Sequence, residues 1–289
     1  MRIVIVGAGG RLGGALAREY AGDFDVRGFR HADLNLADSN EIRERLCPIE
    51  FELLINCAAL TNVDYCESHR EEAFSINAAG PDVLAKLCAE KNAKLIHIST
   101  DYVFDGKKQT PYLEEDKVVP LSIYGQSKRE GELRALAASK RHLVARVSWV
   151  FGPDRPSFVD QVIQRARETA DVAAIADKFA VPTYTLDLAL WLRAAWERDL
   201  VGLLHLANGG ECSWQEYAQY ALDCCHEDGV ALMTKKVGPL TMAEVKNFIA
   251  QRPVYTVLST AKFTDDTGIS PRNWREAVAE YIGQYVAKK

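Results

Sequence analysis

The sequence predicts an α/β protein: a doubly wound parallel sheet followed by a smaller C-terminal α/β lobe. Short apolar runs alternate with helical spacing through the first half, the pattern of parallel strands joined by crossover helices. A glycine-rich turn separates the first run from the first helix, and the rhythm changes after Phe151-Gly152-Pro153. At 289 residues, burying a large core presents no difficulty.

Residues 3–6 (IVIV) read as a buried strand, residues 11–20 as a helix, 25–29 as a second strand and 40–46 as a helix. Residues 53–56 form a third strand; a long helical stretch follows over 70–91, interrupted near Gly80-Pro81. Residues 95–99 and 142–148 are further strands, and a helix begins at the stretch "SIYGQSK" between them. The first domain is placed at 1–150 and a substrate-binding lobe at 151–289. The lobe contains helices over 158–170, 186–197, 214–225 and 275–286, with a strand at 172–175. Segments within 183–208, the strand at 203–207 above all, are expected to return to the main sheet.

Hydrophobic residues make up 48 % and charged residues 26 %, with a net charge of −5 and no basic stripe, so a nucleic-acid partner is not expected. No run approaches the ~18 apolar residues of a membrane helix. The N-terminus "MRIVIVGAGG" carries no signal-peptide pattern. The seven cysteines are odd in number, scattered and without a Cys-x-x-Cys pair, which points to reduced thiols in the cytoplasm and to no metal site.

Gly7, Gly10 and Gly13 fall in "GAGGRLG", directly between the first strand and the first helix. Glycine permits the tight turn and close backbone approach, and the helix N-terminus favours a pyrophosphate, so a Rossmann-type dinucleotide site is expected here. At the end of the second strand Arg30 and His31 stand where an acidic residue would bind the ribose of NADH. A guanidinium there suits the 2′-phosphate of NADPH, with a solvated surface arginine as the plain alternative. NADPH is the preferred cofactor and NADH stays open. Asp33 and Leu34 either clasp the adenine or, for Asp33, cap the following segment. Ala58 and Ala59 suit close cofactor approach and ordinary packing equally.

Tyr124 and Lys128 are four apart and share a helix face. A phenol alone ionises near ~10; an ammonium beside it favours the phenolate. Ser99-Thr100, ending the preceding strand, offers a hydroxyl to orient a carbonyl oxygen. In this order the residues describe a ketone reductase with Tyr124 as proton donor.

These elements resemble the extended short-chain dehydrogenase/reductase superfamily and, within it, the dTDP-4-dehydrorhamnose reductase family, over nearly the whole chain. The resemblance is carried by "GAGGRLG", "INCAALTNVDYCES", "SINAAG", "HISTDYVFDG", "PYLEED", "PLSIYGQSK", "RVSWVFG", "VPT" and "RPVYTVLST". It implies reduction of dTDP-4-dehydrorhamnose to dTDP-L-rhamnose, with Tyr124 as donor, Lys128 as its partner and Thr100 as the orienting hydroxyl. It further implies that Gly10, Arg11 and Leu12 line the pyrophosphate, that Asp33 and Leu34 meet the adenine, and that Ala58, Ala59 and Leu60 lie along the cofactor. Asp101 and Trp149 would meet the sugar nucleotide, with lobe packing as the alternative for Trp149. The chain departs from the family's Gln-x-Gly-x-Pro-Thr at Lys178-Phe179-Ala180-Val181-Pro182-Thr183, and carries the bulkier Val254-Tyr255-Thr256 after Arg252-Pro253.

Two competing readings remain. Tyr102, where dehydratases of the superfamily carry a glutamate, disfavours elimination, while a 4-epimerase would use the same Tyr and Lys. The chain is also similar to the regulatory beta subunit of methionine adenosyltransferase, which binds NADP and serves as a partner. His97 and His205 are expected to be satisfied interior histidines, Asp64 and Glu67 to complement a helix start, and Glu130 and Glu132 to lie on a solvated face. The apolar face of residues 74–87 packs either on the sheet or on a second copy, leaving a homodimer open.

Overall fold

The computed structural model describes residues 1–288 and is centred on a six-stranded sheet. The strands are β1 (Arg2–Val6), β2 (Asp25–Phe29), β3 (Leu53–Asn56), β4 (Lys94–Thr100), β5 (Leu143–Val147) and β6 (Gly202–His205). They lie in the order β6-β5-β4-β3-β1-β2 and every pairing is parallel. The chain runs from β1 out to β2, then returns to β3 on the other side of β1. That reversal opens a crevice beyond the carboxyl ends of β1 and β3, which finish opposite each other at Val6 and Asn56.

Both faces of the sheet are covered, as the continuous apolar strands require. Ile3 and Ile5 of β1 turn to one face, under Leu12 and Leu16 of α1 (Arg11–Tyr20). Val4 and Val6 turn to the other, under Ile42 and Leu46 of α2 (Ser39–Leu46) and Leu84 and Leu87 of α3 (Gly80–Glu90). The apolar side of α3 is therefore spent within the chain, including Ala85 and Cys88. The interruption expected before α3 is a π-turn over Ser75–Ala79 that continues the helix Arg70–Phe74. Pro81 supplies no N–H to the Asn77 carbonyl, so regular α-helical bonding cannot run through this point.

A separate apolar core, with Phe151, Val159, Tyr184, Tyr217, Val257, Trp274 and Ile282, holds the second lobe together. Its helices are α5 (Phe158–Glu168), α7 (Trp214–Glu227) and α9 (Trp274–Tyr281), whereas α8 (Ala261–Thr267) buries Phe263 in the sheet's core beside Trp191. Between them, α6 (Thr185–Glu197) leaves the lobe and buries Leu188, Trp191 and Leu192 against the sheet with α1, and β6 pairs with β5. Short pairs, Val150–Phe151 with Thr183–Tyr184 and Phe179–Ala180 with Cys212–Ser213, fix the lobe's edge facing the crevice. Among the described residues no helix is long and apolar enough to cross a membrane.

Candidate active site

The glycine turn closes onto the start of the segment after β3. Gly7 has φ +85°, and a Cβ there would stand 2.6 Å from the Ala58 amide nitrogen; one on Gly13 would stand 2.2 Å from the Gly7 carbonyl oxygen. Larger residues at either position would force the turn open. Gly10, the N-cap of α1, has no side chain to occupy the first amides, which leaves them for an anion. The Arg11 guanidinium turns away to the Arg155 and Pro156 carbonyls, at 3.2 and 2.5 Å, and burial lowers its pKa. The Leu12 side chain is in the core, so both residues offer the crevice only their backbone.

At the adenosine end, Arg30 is exposed and its stem runs past Gly9, with Cγ 3.3 Å from where a Gly9 Cβ would lie. Asp33 Oδ2 accepts from the Arg30 amide at 2.9 Å, capping its own turn, and Leu34 is buried with Val4 and Phe29. Beside them lies a cavity of about 340 Å³ lined by Arg27, Gly28, Phe29, Ala32, Asp33 and Arg45. Ala58, Ala59 and Leu60 edge the crevice, each partly exposed. Asn77 holds Leu60 from both sides, accepting from its amide at 2.8 Å and donating to its carbonyl at 3.0 Å.

The Tyr–Lys pair sits at the start of α4 (Ile123–Ala138), whose N-cap Ser122 accepts from the Gly125 amide at 3.2 Å. A Cβ on Gly125 would meet the Tyr102 carbonyl at 2.3 Å. That close approach presses the first turn of α4 onto the 3₁₀ turn Asp101–Val103, which follows Thr100 directly, and so sets Tyr124 at the carboxyl end of β4. Tyr102 and Tyr124 meet edge to face at 5.7 Å. One turn on, buried Lys128 donates to the Ile98 carbonyl at 2.6 Å. Burial lowers its pKa to about 8, opposed by Glu132. Burial also pushes the Tyr124 phenol above its ordinary value; the Thr100 hydroxyl opposes this and Asp101 adds to it. The ammonium alone therefore does not produce the lowered phenol expected from the sequence, because desolvation of Tyr124 outweighs every other influence on it.

Thr100 Oγ1 donates to Asp101 Oδ1 at 3.0 Å and accepts from the Tyr102 amide at 3.2 Å. Asp101, 2 % exposed, also accepts from Ser148 Oγ at 3.2 Å and Thr256 Oγ1 at 2.5 Å. Trp149 follows with φ +37°, strained for a residue with a side chain, and its buried indole N–H has no partner among the described residues. Its ring lies 5.6 Å from that of Trp214. Thr100, Asp101, Tyr124 and Lys128 are thus brought together, while Arg30, Asp33 and Leu34 stand apart at the far end of the crevice. Among the described residues, no group of three or more His, Cys, Asp or Glu is placed to hold a metal ion.

This geometry has close relatives. The crystal structure of dTDP-4-dehydrorhamnose reductase from Bacillus anthracis str. Ames in complex with NADP superposes with a TM-score of 0.92 at 30 % identity, covering 97 % of this chain and 98 % of that one. Spore coat polysaccharide biosynthesis protein SpsK of Bacillus subtilis (strain 168) is 35 % identical over 282 residues, 97 % of this chain and 96 % of that protein. The dTDP-4-dehydrorhamnose reductase of Sinorhizobium fredii (strain NBRC 101917 / NGR234) is 31 % identical over 289 residues, 98 % of this chain and 97 % of that protein. The family model described as the RmlD substrate binding domain matches residues 1–287. The chain belongs to the dTDP-4-dehydrorhamnose reductase family.

Within this reductase family fold, the expectation of a solvated Glu132 is wrong. Glu132 and Arg146 are both 0 % exposed and form a two-pronged pair, Nε to Oε1 and Nη2 to Oε2, each at 2.8 Å. Ser99 Oγ and Arg129 Nη1 donate to the same carboxylate, at 2.7 and 2.8 Å. The available signal was Arg146 itself, a charge in the apolar strand LVARV that demands a buried partner. His205 is satisfied, taking Arg146 Nη1 at Nε2 (3.3 Å) and facing the Tyr112 carbonyl through Nδ1 (3.1 Å). His97 meets Asn56 Nδ2 at 3.1 Å through Nδ1, but its Nε2 has no partner among the described residues. Asp64 grips Arg252 across the crevice, and Glu67 accepts from the Ile123 amide at 2.8 Å, at the first residue of α4.

Proposed function

We propose that this oxidoreductase reduces the 4-keto group of a nucleotide-linked deoxysugar, dTDP-4-dehydrorhamnose, to give dTDP-L-rhamnose. The observation that carries the reading is the packing of the first turn of α4 onto the Asp101–Val103 turn, which sets Tyr124 beside the carboxyl end of β4, where Thr100 stands, with Lys128 one helical turn below the phenol and bonded to the Ile98 carbonyl. The glycine turn fits a dinucleotide: Gly7 and Gly13 leave a cradle that a Cβ would fill, and the first amides of α1 are uncapped. Bound NADPH supplies the hydride. Gly7, Gly10 and Gly13, with the backbone of Arg11 and Leu12, would hold its pyrophosphate, and Ala58, Ala59 and Leu60 would line its path. Arg30 would meet the 2′-phosphate, with Arg27 and Arg45 nearby in the cavity beside Asp33 and Leu34.

The chain's own part is to orient the ketone and deliver a proton. Thr100 and Tyr124 face the keto oxygen together, and Tyr124 gives up its hydroxyl proton as negative charge develops there. The buried Lys128 ammonium supports the phenolate left behind. Asp101 accepts from a sugar hydroxyl, and Trp149, with its free indole N–H, closes the wall on the lobe side. The residues after 151, apart from α6, β6 and α8, form the substrate-binding lobe. All seven cysteines are free thiols, five of them buried, which suits a cytoplasmic enzyme.

The test is NADPH oxidation with dTDP-4-dehydrorhamnose by wild type and Tyr124→Phe. The variant should lose roughly 10²–10⁴-fold in kcat/KM, the range for a positioned proton donor, with NADPH affinity retained. A wild type that binds NADPH tightly but turns over no nucleotide-sugar would instead favour a binding subunit.

A further inference from the structure

Lys178 is a charged residue placed deep in the lobe's wall that the reduction itself does not use. It is 0 % exposed and stands at the head of the short strand Phe179–Ala180. Its Nζ donates to the Pro253 carbonyl at 2.6 Å and lies 4.9 Å from the centre of the Tyr102 ring. A buried ammonium is strongly disfavoured unless an anion offsets it. Both of its contacts lead to Asp101 without a direct ion pair: Tyr102 is the next residue to Asp101, and Thr256, three residues after Pro253, donates to that carboxylate, whose charge acts on the ammonium across the gap.

Three hydroxyls converge on that carboxylate. Thr100 donates to Oδ1, and Ser148 and Thr256 donate to Oδ2. A hydroxyl has one proton to give, and an ionised carboxylate only accepts, so the charged form satisfies all three. Thr100 is constrained further, because the Tyr102 N–H already occupies one of its lone pairs. A protonated Asp101 would present a donor where the network supplies donors.

We propose that Lys178 is a positioning residue: its buried ammonium keeps Asp101 a carboxylate, and that charge holds the Ser148 and Thr256 hydroxyls in place beside the site and keeps Asp101 an acceptor for a sugar hydroxyl. The effect on turnover rests on the reductase reading; the charge state of Asp101 does not. Around Asp101 the ionisable neighbours are Lys178 from the 178–180 segment, Arg252 from the segment before Thr256, Tyr102 beside it and Tyr124 from α4. The two phenols are neutral, and Arg252 is committed to Asp64 by bonds of 2.6 and 3.0 Å. That leaves Lys178 to balance Asp101. Burial raises the Asp101 pKa, and Lys178 heads the influences that oppose it.

The charge can be read without substrate, by ¹³C NMR of the aspartate carboxyl carbons in the full chain, with Asp101 assigned through Asp101→Asn. In wild type the Asp101 signal should be that of a carboxylate at pH 7. In Lys178→Met, and in Lys178→Gln as a second neutral variant, its midpoint should move up by at least about one pH unit, and Lys178→Arg should restore it. In the neutral variants kcat/KM for the nucleotide-sugar should fall about tenfold at pH 6.5 and recover as pH rises, with NADPH affinity within about twofold of wild type. An Asp101 midpoint unchanged by removing the ammonium, or a loss of activity equal at every pH, would overturn the proposal. Absence of turnover in wild type would remove the reductase reading and leave the carboxyl titration to decide the role of Lys178.

Discussion

Lys128 is buried under the site with its ammonium 2.6 Å from the Ile98 carbonyl, and burial lowers its pKa to about 8. In the unfolded chain the same group ionises near ~10.4. Below about 8 both states hold the proton, and the whole cost of burying the charge, about 3 kcal/mol, bears on the folded state. Between about 8 and 10 the unfolded chain binds more protons than the folded one, so this residue's contribution to stability rises with pH. Lys128→Met should therefore be more stable than wild type at pH 7, by up to about 3 kcal/mol, a figure that already nets off the attraction to Glu132, while losing roughly 10²-fold or more in kcat/KM. The stability advantage should shrink between pH 8 and 10. Urea denaturation at pH 7 and 9.5 measures it; a variant less stable than wild type at pH 7 would make the ammonium a net structural tie.

At the scale of elements, α4 owes its place to residues that hydropathy does not flag. Its buried positions are Tyr124, Gly125, Ser127, Lys128, Gly131, Glu132 and Ala135, a face of small, polar and charged side chains. Glu132→Gln should separate support from chemistry on this face. Loss of the carboxylate leaves Arg146 buried with its charge unmatched, at a cost of about 3–5 kcal/mol. It also removes the influence that raises the Lys128 pKa, so the alkaline limb of the kcat/KM profile should begin below about 8. A profile that keeps its wild-type limb would confine Glu132 to a structural role. The same face explains what could be read beforehand. The inner strands of the sheet were legible because they are buried on both sides and nearly wholly apolar: β3 falls where the run 53–56 puts it, while β2, the largely exposed edge strand DVRGF, was placed at 25–29 by its position between two helical stretches. Tyr124, Lys128 and Thr100 were legible through spacing and order. Glu132 was not, since a polar residue on a helix reads as solvated until the strand beneath it supplies Arg146. The lobe's two-residue strands left no periodicity at all, and Asp33, whose carboxylate caps its own turn, carried two equal readings that composition could not separate.

Across the whole molecule, the apolar packing of Val103, Phe104 and Tyr112 against Val257 and Leu258 is joined by charged contacts that tie the sheet domain to the lobe at the mouth of the crevice. Asp64, in the short helix Val63–Ser68, accepts from the Ile249 and Ala250 amides at 2.8 and 2.9 Å and from Arg252 at 2.6 and 3.0 Å. Arg252 in turn lies 3.6 Å from the centre of the Phe248 ring, and four residues later Thr256 reaches Asp101. The segment that carries Pro253, Tyr255 and Thr256 to the site is thus fastened at its near end by one carboxylate. The Arg252 hydrogen bond, first among the causes, lowers the Asp64 pKa to about 2. A carboxyl depressed in the folded state gives stability that is present above its unfolded value near ~3.9 and is lost as pH falls through about 2. Asp64→Asn should cost about 1.5–3 kcal/mol at pH 7, the range for hydrogen bonds to a charged group, and the gap to wild type should close as pH is lowered from 5 to 2. Amide exchange should quicken over residues 248–254, and KM for the nucleotide-sugar should rise while NADPH affinity holds, because the glycine turn lies on the other side of the crevice. Exchange that quickens equally in α1 and β1 would mean that Asp64 supports the whole fold, and the segment would then need another anchor.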